Sequence, residues 1–423
     1  MFHHVKGHGV RLGVAAVLAA VAMALLGLAG ARAAEPIKIG YGISLTGPLA
    51  VNGKSAVLAQ KIWMDDVNAK GGILGRKVEL VYYDDQTNPA TVPGIYTKLL
   101  DVDKVDLVVG GYGTNMIAPA MPVIIQHGKV FLGLFGLAVN TNFKYDKYFA
   151  MIPSGPDPKV AFTKGFFDAA MAQTPKPKTV AIAAEDDEFA RNAADGAIAN
   201  AKAAGLKIVY NRNFPPTSTD YTSVARAIQA TNPDIVVICA YPLGSVGMVQ
   251  AASEVGLKPK MMGGAMVGLQ ATAIKMKLGP ELNGITNYDF WEPVPKMQFP
   301  GVEALLKKYQ AQAAAANVDP LGYYMVPFAY AQMQVLADAV EATKSLNQET
   351  LGKYIHAHAF KTVVGDIKFA ANGEWARSRV IQIQFHGIKG HDLEQFRTMG
   401  TQTVVAPAEY ASGKLIYPYG AAE

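Results

Sequence analysis

The alternation of short apolar runs with amphipathic stretches constrains this chain more than any other feature. "IKIGYGISL", "VELVYYDD", "VDLVVGG", "KVFLGLF", "KTVAIAAED", "GLKIVYNRNF" and "DIVVICAY" each read as a strand. Between the first two lies "SAVLAQKIWMDDVNAK", where Leu58, Ile62, Trp63 and Val67 share one helical face and Gly71–Gly72 stops the helix. Strands that alternate with helices specify βαβ units, parallel sheets and helices on both faces.

A single sheet would need too many strands for one comfortable layer. A break is visible at Pro153, Gly155, Pro156 and Pro158. A second βα series runs from Val160 to Asn283. After it the chain turns helical in "VEALLKKYQAQAAAA", "VPFAYAQMQVLADAVEATK" and "QETLGKYIHAH". These helices have apolar faces and no strands of their own, so they are expected to return to the first sheet. "DIKF-AANG-EWARSRVIQIQF" reads as strand, Asn372–Gly373 turn, strand. The expected order is a first lobe from 34–155 plus 288–368, a second from 156–287 plus 369–390, and a tail at 391–423. Several crossings between two lobes make a hinged pair with a cleft.

Residues 1–33 stand apart. A basic start, an apolar run of nineteen and "ARA" at Ala31 to Ala33 have the three-part layout of a secretory signal peptide, cut after Ala33. This predicts an exported protein, with a retained transmembrane anchor as the competing reading of the nineteen-residue run. The segment carries three basic residues and no acid, so the formal charge of +5 falls to +2 without it. That leaves no nucleic-acid footprint. Cys239 is the only cysteine and closes an apolar strand, which suits a small buried side chain better than a nucleophile.

Enzyme signatures fail on spacing. In "VVGGYGTNMIAPAMP", Gly111 and Gly113 supply the first pair of a dinucleotide fingerprint, but Met116 holds the sixth position. "GKS" at Gly53 to Ser55 lacks the upstream glycine of a P-loop. Ser245 is one residue out of frame for a nucleophile elbow. His356 and His358 are two apart, which gives no shared helix face, and there is no cysteine cluster or His-Glu-x-x-His for a metal. The acidic run Glu185 to Glu188 reads as a solvated loop entering a helix. No cofactor is expected. What remains is a cleft protein without catalytic equipment.

The segments "IKIGYGISLTGPLAVNGKSAVLAQKIWMDDVNAKGGILGRKVELVYYDDQTNP" and "VDLVVGGYGTNMIAPAMPVI" resemble the leucine/isoleucine/valine-binding protein family, the periplasmic receptors of ABC importers. "S-x-T-G-P-x-A", "N-x-K-G-G-I-x-G" and "Y-D-D-x-x-x-P" occur in family order, and the likeness spans most of residues 37–390. It implies an α/β, two-lobed type I binding fold. Each lobe would be a mostly parallel sheet flanked by helices, with three hinge crossings. The implied partners are a small solute and an inner-membrane ABC permease, with the receptor a monomer and no nucleic acid bound.

By matched segments, the solute's carboxylate would meet Thr114 and the backbone of Phe135, Gly136 and Leu137 in the first lobe. A strand end feeding a helix start suits that anion-holding role, and a plain helix cap is the competing role for Thr114. Phe189 and Tyr241 would close from the second lobe. Asn115, Tyr288, Phe290, Trp291, Tyr323 and Tyr324 are further candidates for the cleft or hinge. The sequence also departs from the family. Ala265, in the strand-end loop matched by "MMGGAMVG", stands where amino-acid binders carry an acid for the ligand's ammonium. Leu137 replaces a second hydroxyl residue, and Thr87 and Gly113 replace a cysteine pair. A buried ammonium without a counter-charge is costly. The expected ligand is therefore an organic carboxylate, aromatic ones included, or an amide rather than an α-amino acid. Alternatives are a branched-chain amino acid binder and a ligand-sensing regulator on the same fold.

Overall fold

The computed structural model describes residues 1–2 and 34–422. The signal segment expected at 1–33 lies almost wholly outside the described residues. Two sheets organise the rest. The first has strand order β2-β1-β3-β4-β5, built from β1 (Ile37–Ile43), β2 (Val78–Asp84), β3 (Leu107–Tyr112), β4 (Phe131–Leu134) and β5 (Tyr148–Ala150). All its pairings are parallel. The second sheet begins with β6 (Thr179–Glu185), β7 (Lys207–Phe214), β8 (Ile235–Ala240), β9 (Met261–Met266) and β10 (Ile285–Asp289), also parallel to one another. Every residue of β3 and β8 is buried. Covered on both faces, such strands are apolar throughout rather than alternating.

A short ribbon pairs β11 (Ala359–Thr362) with β12 (Gly365–Lys368). Then β13 (Ile381–Phe385) and β14 (Gln402–Ala406) extend the second sheet, antiparallel, to give the order β14-β13-β10-β9-β8-β6-β7. Two expectations change here. The Asn372–Gly373 turn forms, with Gly373 N–H on Ala370 O at 2.9 Å, but β12 and β13 do not pair. They lie in different sheets, because the turn falls within a crossing between the lobes and Gly373 packs its Cα against the Tyr148 carbonyl of β5. The stretch beyond 390, expected as a tail, supplies edge strand β14, whose Val404 and Ala406 are buried.

The helical block returns to the first sheet as expected. Helix Val326–Thr343 packs on helix Ala50–Ala69 and on β4. Gln332, fully buried at that seam, accepts from Gln60 Nε2 at 2.9 Å and donates to the carbonyls of Gly110 and Leu132. A buried amide with its partners made fixes the helix over β3 and β4. The chain passes between the sheets three times, at 151–157, 290–301 and 370–380. No helix among the described residues is long and apolar enough to cross a membrane.

Candidate functional site

The carboxyl ends of β3 and β4 face those of β6 and β8 across the cleft. In the Gly-rich stretch after β3, two glycines serve the sheet. A Cβ on Gly110 would come within 2.9 Å of Gly133 Cα, and one on Gly111 within 2.1 Å of the Gly42 carbonyl. Gly113 turns the chain at φ +92° and leads into the short helix Thr114–Ile117.

Thr114 is fully buried, and its hydroxyl oxygen accepts the Leu137 N–H at 3.0 Å. Two proposed members of the anion grip are therefore bonded to each other. Phe135 adopts φ +62° and turns its ring inward. It lies 4.6 Å from Phe290, 5.1 Å from Tyr324 and 5.1 Å from Phe328, centroid to centroid. Gly136 faces the interior of the first lobe, where a Cβ would lie 2.9 Å from the Tyr148 hydroxyl.

The second lobe meets these loops directly. Tyr241 Oη accepts the Asn115 N–H at 3.4 Å, and Asn115 Oδ1 accepts the Phe189 N–H at 3.2 Å. Asn192 Nδ2 donates to Leu137 O at 3.1 Å. The rings of Phe189 and Tyr241 are 5.2 Å apart. Behind them, Tyr324 Oη lies 3.1 Å from Tyr288 Oη and 3.4 Å from Tyr112 Oη, all three rings buried. Burial holds each of these phenols neutral by pushing its pKa up. Phe162 closes the aromatic wall against Tyr288 at 4.7 Å and Phe189 at 5.8 Å.

A pocket of about 370 Å³ opens between the lobes beside Tyr241, lined by Leu49, Asn115 and Met116 from the first and Glu185 and Asp187 from the second. Its size suits a small solute. A wider groove of about 790 Å³ runs along Pro119, Pro122, Arg191 and Asn192 and touches neither Thr114 nor Tyr241.

The acidic run departs from expectation. Only Asp186 is a solvated acid; Glu185 closes β6 at 4% exposure. Glu185 Oε2 accepts the Tyr241 N–H at 2.7 Å, and burial pushes its carboxyl up to about 7. Asp187 Oδ1 caps helix Glu188–Ala203 by accepting from Ala190 N–H at 2.9 Å. Asp187 Oδ2 is buried and accepts no hydrogen bond from the described residues. Burial raises the Asp187 pKa as well.

Other candidates fall elsewhere. Ala265 is inside β9, opposite Cys239 of β8, rather than in a loop, because β9 is paired on both sides. Trp291 donates from Nε1 to Met297 O at 2.8 Å and packs on Tyr323, whose hydroxyl donates to Arg397 O at 2.8 Å. Trp291 belongs to the second crossing, Tyr323 packs on it from the stretch before helix Val326–Thr343, and neither lines the pocket. Tyr112, Phe162 and Asn192 are cleft residues that the sequence reading did not single out, and Glu185 and Asp187 are cleft residues that it assigned to a solvated loop. Asp187 standing just ahead of the helical run, with Glu188 in its first turn, was an available cap signal. Among the described residues no three His, Cys, Asp or Glu side chains gather as metal ligands.

Comparison with known proteins points one way. The profile described as periplasmic binding protein matches residues 36–384. The leucine-, isoleucine-, valine-, threonine-, and alanine-binding protein of Pseudomonas aeruginosa is 25% identical over 358 residues, 84% of this chain and 91% of the relative. The branched-chain amino acid transporter substrate binding protein of Streptococcus pneumoniae, solved with isoleucine, superposes with a TM-score of 0.70 at 18% identity, covering 90% of this chain and 100% of that one. A solute binding protein of R. palustris, solved with benzoate, gives 0.72 at 16% identity, covering 90% and 98%. At such identities the structures share the fold.

Proposed function

The chain belongs to the periplasmic binding protein family, and from that premise we propose that it is the extracytoplasmic receptor of an ABC importer, capturing a small organic solute between its two lobes. The observation that carries this reading is the pocket of about 370 Å³ lined from both lobes and flanked by three hydrogen bonds between them. Capture needs no bond-making. A solute that touches both walls stabilises the closed arrangement by its preference for it, and the closed form is what a membrane permease recognises.

Thr114, Phe135, Gly136, Leu137, Phe189 and Tyr241 are the proposed binding residues; of these Tyr241, together with Asn115, lines the pocket itself, and the others stand behind its walls. Lobe 1 comprises 34–155 plus 290–368 rather than 288–368, because Tyr288 and Asp289 close β10 of the second sheet, and lobe 2 comprises 156–289 plus 369–390 with β14 added. The solute is a carboxylate or an amide with an apolar or aromatic body. Leu49, Met116, Phe189 and Tyr241 support the apolar body, and the benzoate-bound neighbour is in keeping with it. A branched-chain amino acid is the second reading, favoured by the names of the Pseudomonas and Streptococcus relatives.

A thermal-shift screen of amino acids, organic carboxylates and amides tests this. A true ligand raises the melting temperature with concentration over affinity. Stabilisation by leucine or valine and by no organic acid or amide overturns the ligand class. Melting that no solute of any class moves overturns capture itself.

A further inference from the structure

Resting on that reading of the cleft, we propose that the solute pocket continues past its mouth onto the second lobe, so that the site takes an elongated solute with an apolar chain. A groove of about 590 Å³ lies next to the pocket, and the two cavities share Pro48 and Leu243 as walls. The same two chain segments run from one cavity into the other. After β8, Tyr241 lines the pocket, Pro242 lines the groove and Leu243 lines both. After β7, Pro216 lines the pocket and Tyr221 lines the groove. A molecule held beside Tyr241 therefore has a path across Leu243 into the groove.

The groove has a built apolar wall. The Tyr221 ring lies directly on the backbone of helix Pro242–Val255, where a Cβ on Gly247 would come within 2.2 Å of it. The ring is 6% exposed and stands edge-on to Phe214 at 5.5 Å, and its hydroxyl donates to Ser218 O at 2.9 Å. Held in this way, it has little freedom left to lose when a chain lies against it. Val246 and Ile274 add aliphatic surface to the same groove. Leu243 is an independent observation. At 60% exposure it is the one exposed large hydrophobic side chain among the described residues of the second lobe. A lone exposed leucine is ordinary on a surface, but this one stands where the two cavities meet, and a chain passing from pocket to groove would cover it. Each methylene taken fully out of water is worth about fourfold in affinity, and an open groove covers a chain on one side only, so four added methylenes should bring on the order of tenfold.

The test compares a four-carbon with an eight-carbon probe for each head group in question: butyrate and octanoate, butyramide and octanamide, 2-aminobutyrate and 2-aminooctanoate. Affinities are read by calorimetry on the parent, Leu243→Ser and Gln250→Trp. Both side chains are exposed, so both variants are expected to fold and to melt close to the parent. Leu243→Ser removes the apolar step between the cavities. Gln250→Trp puts bulk into the groove from a residue that does not line the pocket. For the head group that binds, the expected result is an eight-carbon probe at least tenfold tighter than its four-carbon partner in the parent, with that ratio falling below about threefold in both variants. A ratio near one, or one that favours the short probe, overturns the inference and leaves capture standing. So does a tenfold ratio that both variants keep, because the gain then comes from apolar surface elsewhere. If none of the six probes binds while another solute does, the inference falls and capture stands. If no solute binds, both fall.

Discussion

Tyr241 and Asn115 meet across the cleft, the phenol oxygen of one accepting the backbone N–H of the other at 3.4 Å. Tyr241 is held from behind, because Glu185 accepts its backbone N–H at 2.7 Å. Its ring rests on Phe189. One side chain therefore touches the first lobe, the pocket and the acidic wall at once.

Replacing Tyr241 by alanine should cost binding more than stability. The ring is only partly buried, and losing its contact with Phe189 is worth about 1–2 kcal/mol of unfolding free energy. Solute affinity should fall tenfold or more. Calorimetry beside a urea melt separates the two effects, and an unchanged affinity removes Tyr241 from the site.

Thr114→Val tests whether the first-lobe loops are braced by one hydroxyl. The Leu137 N–H would be left without its acceptor in a fully buried place. The expected loss is about 1–3 kcal/mol, and Thr114→Ser should recover most of it. A valine variant as stable as the parent would mean that the loops hold their shape by packing alone.

The alternating pattern made the parallel sheets legible, because strands such as Ile235–Ala240 are covered on both faces and must be apolar throughout. Pairing across long separations was not legible. Asn372–Gly373 gives a strong local turn signal, yet Ile367 and Ile383 end in different sheets, a choice made by contacts with β11 and β10 that no local pattern encodes. The acidic run misled for a similar reason. Its four residues look equally polar in sequence, but strand β6 ends at Glu185 and a cap begins at Asp187, so two of them turn inward. Phe135 reads in sequence as a cleft aromatic, whereas its ring turns inward on a positive φ that a phenylalanine gives no hint of.

The glycines of the stretch "VVGGYG" should separate by function. Gly111→Ala drives a Cβ to 2.1 Å from the Gly42 carbonyl and should cost about 2 kcal/mol or more of stability. Its intrinsic affinity for solute should be unchanged under conditions where it is folded. Gly113→Ala instead places a Cβ 3.1 Å from Tyr241 Oη at φ +92°, so it should hinder closure. Small-angle scattering with saturating solute should show a larger radius of gyration for the Gly113 variant than for the parent. Equal radii would detach Gly113 from closure.

Glu374 carries the last prediction. It lies in the third crossing at 2% exposure, with Ser154 Oγ of the first crossing donating to Oε2 at 3.5 Å and no partner for Oε1 among the described residues. Burial pushes its carboxyl from 4.5 up to about 8. The folded protein therefore holds this proton more tightly than the unfolded chain does. The stabilisation is complete below pH 4.5 and is lost as pH rises to about 8. Glu185, raised to about 7, and Glu292, raised by burial beside Asp289, act in the same direction, so the decline of the parent protein alone assigns nothing. The difference between the parent and Glu374→Gln does. Glutamine keeps the shape and an acceptor for Ser154 but cannot ionise. Unfolding free energies taken from pH 5 to pH 9 should show the variant gaining on the parent up to about pH 8 and levelling beyond it, by on the order of 4 kcal/mol in total. A gap that stays constant with pH would mean that Glu374 is ionised in the folded protein and that another group at the hinge holds its charge.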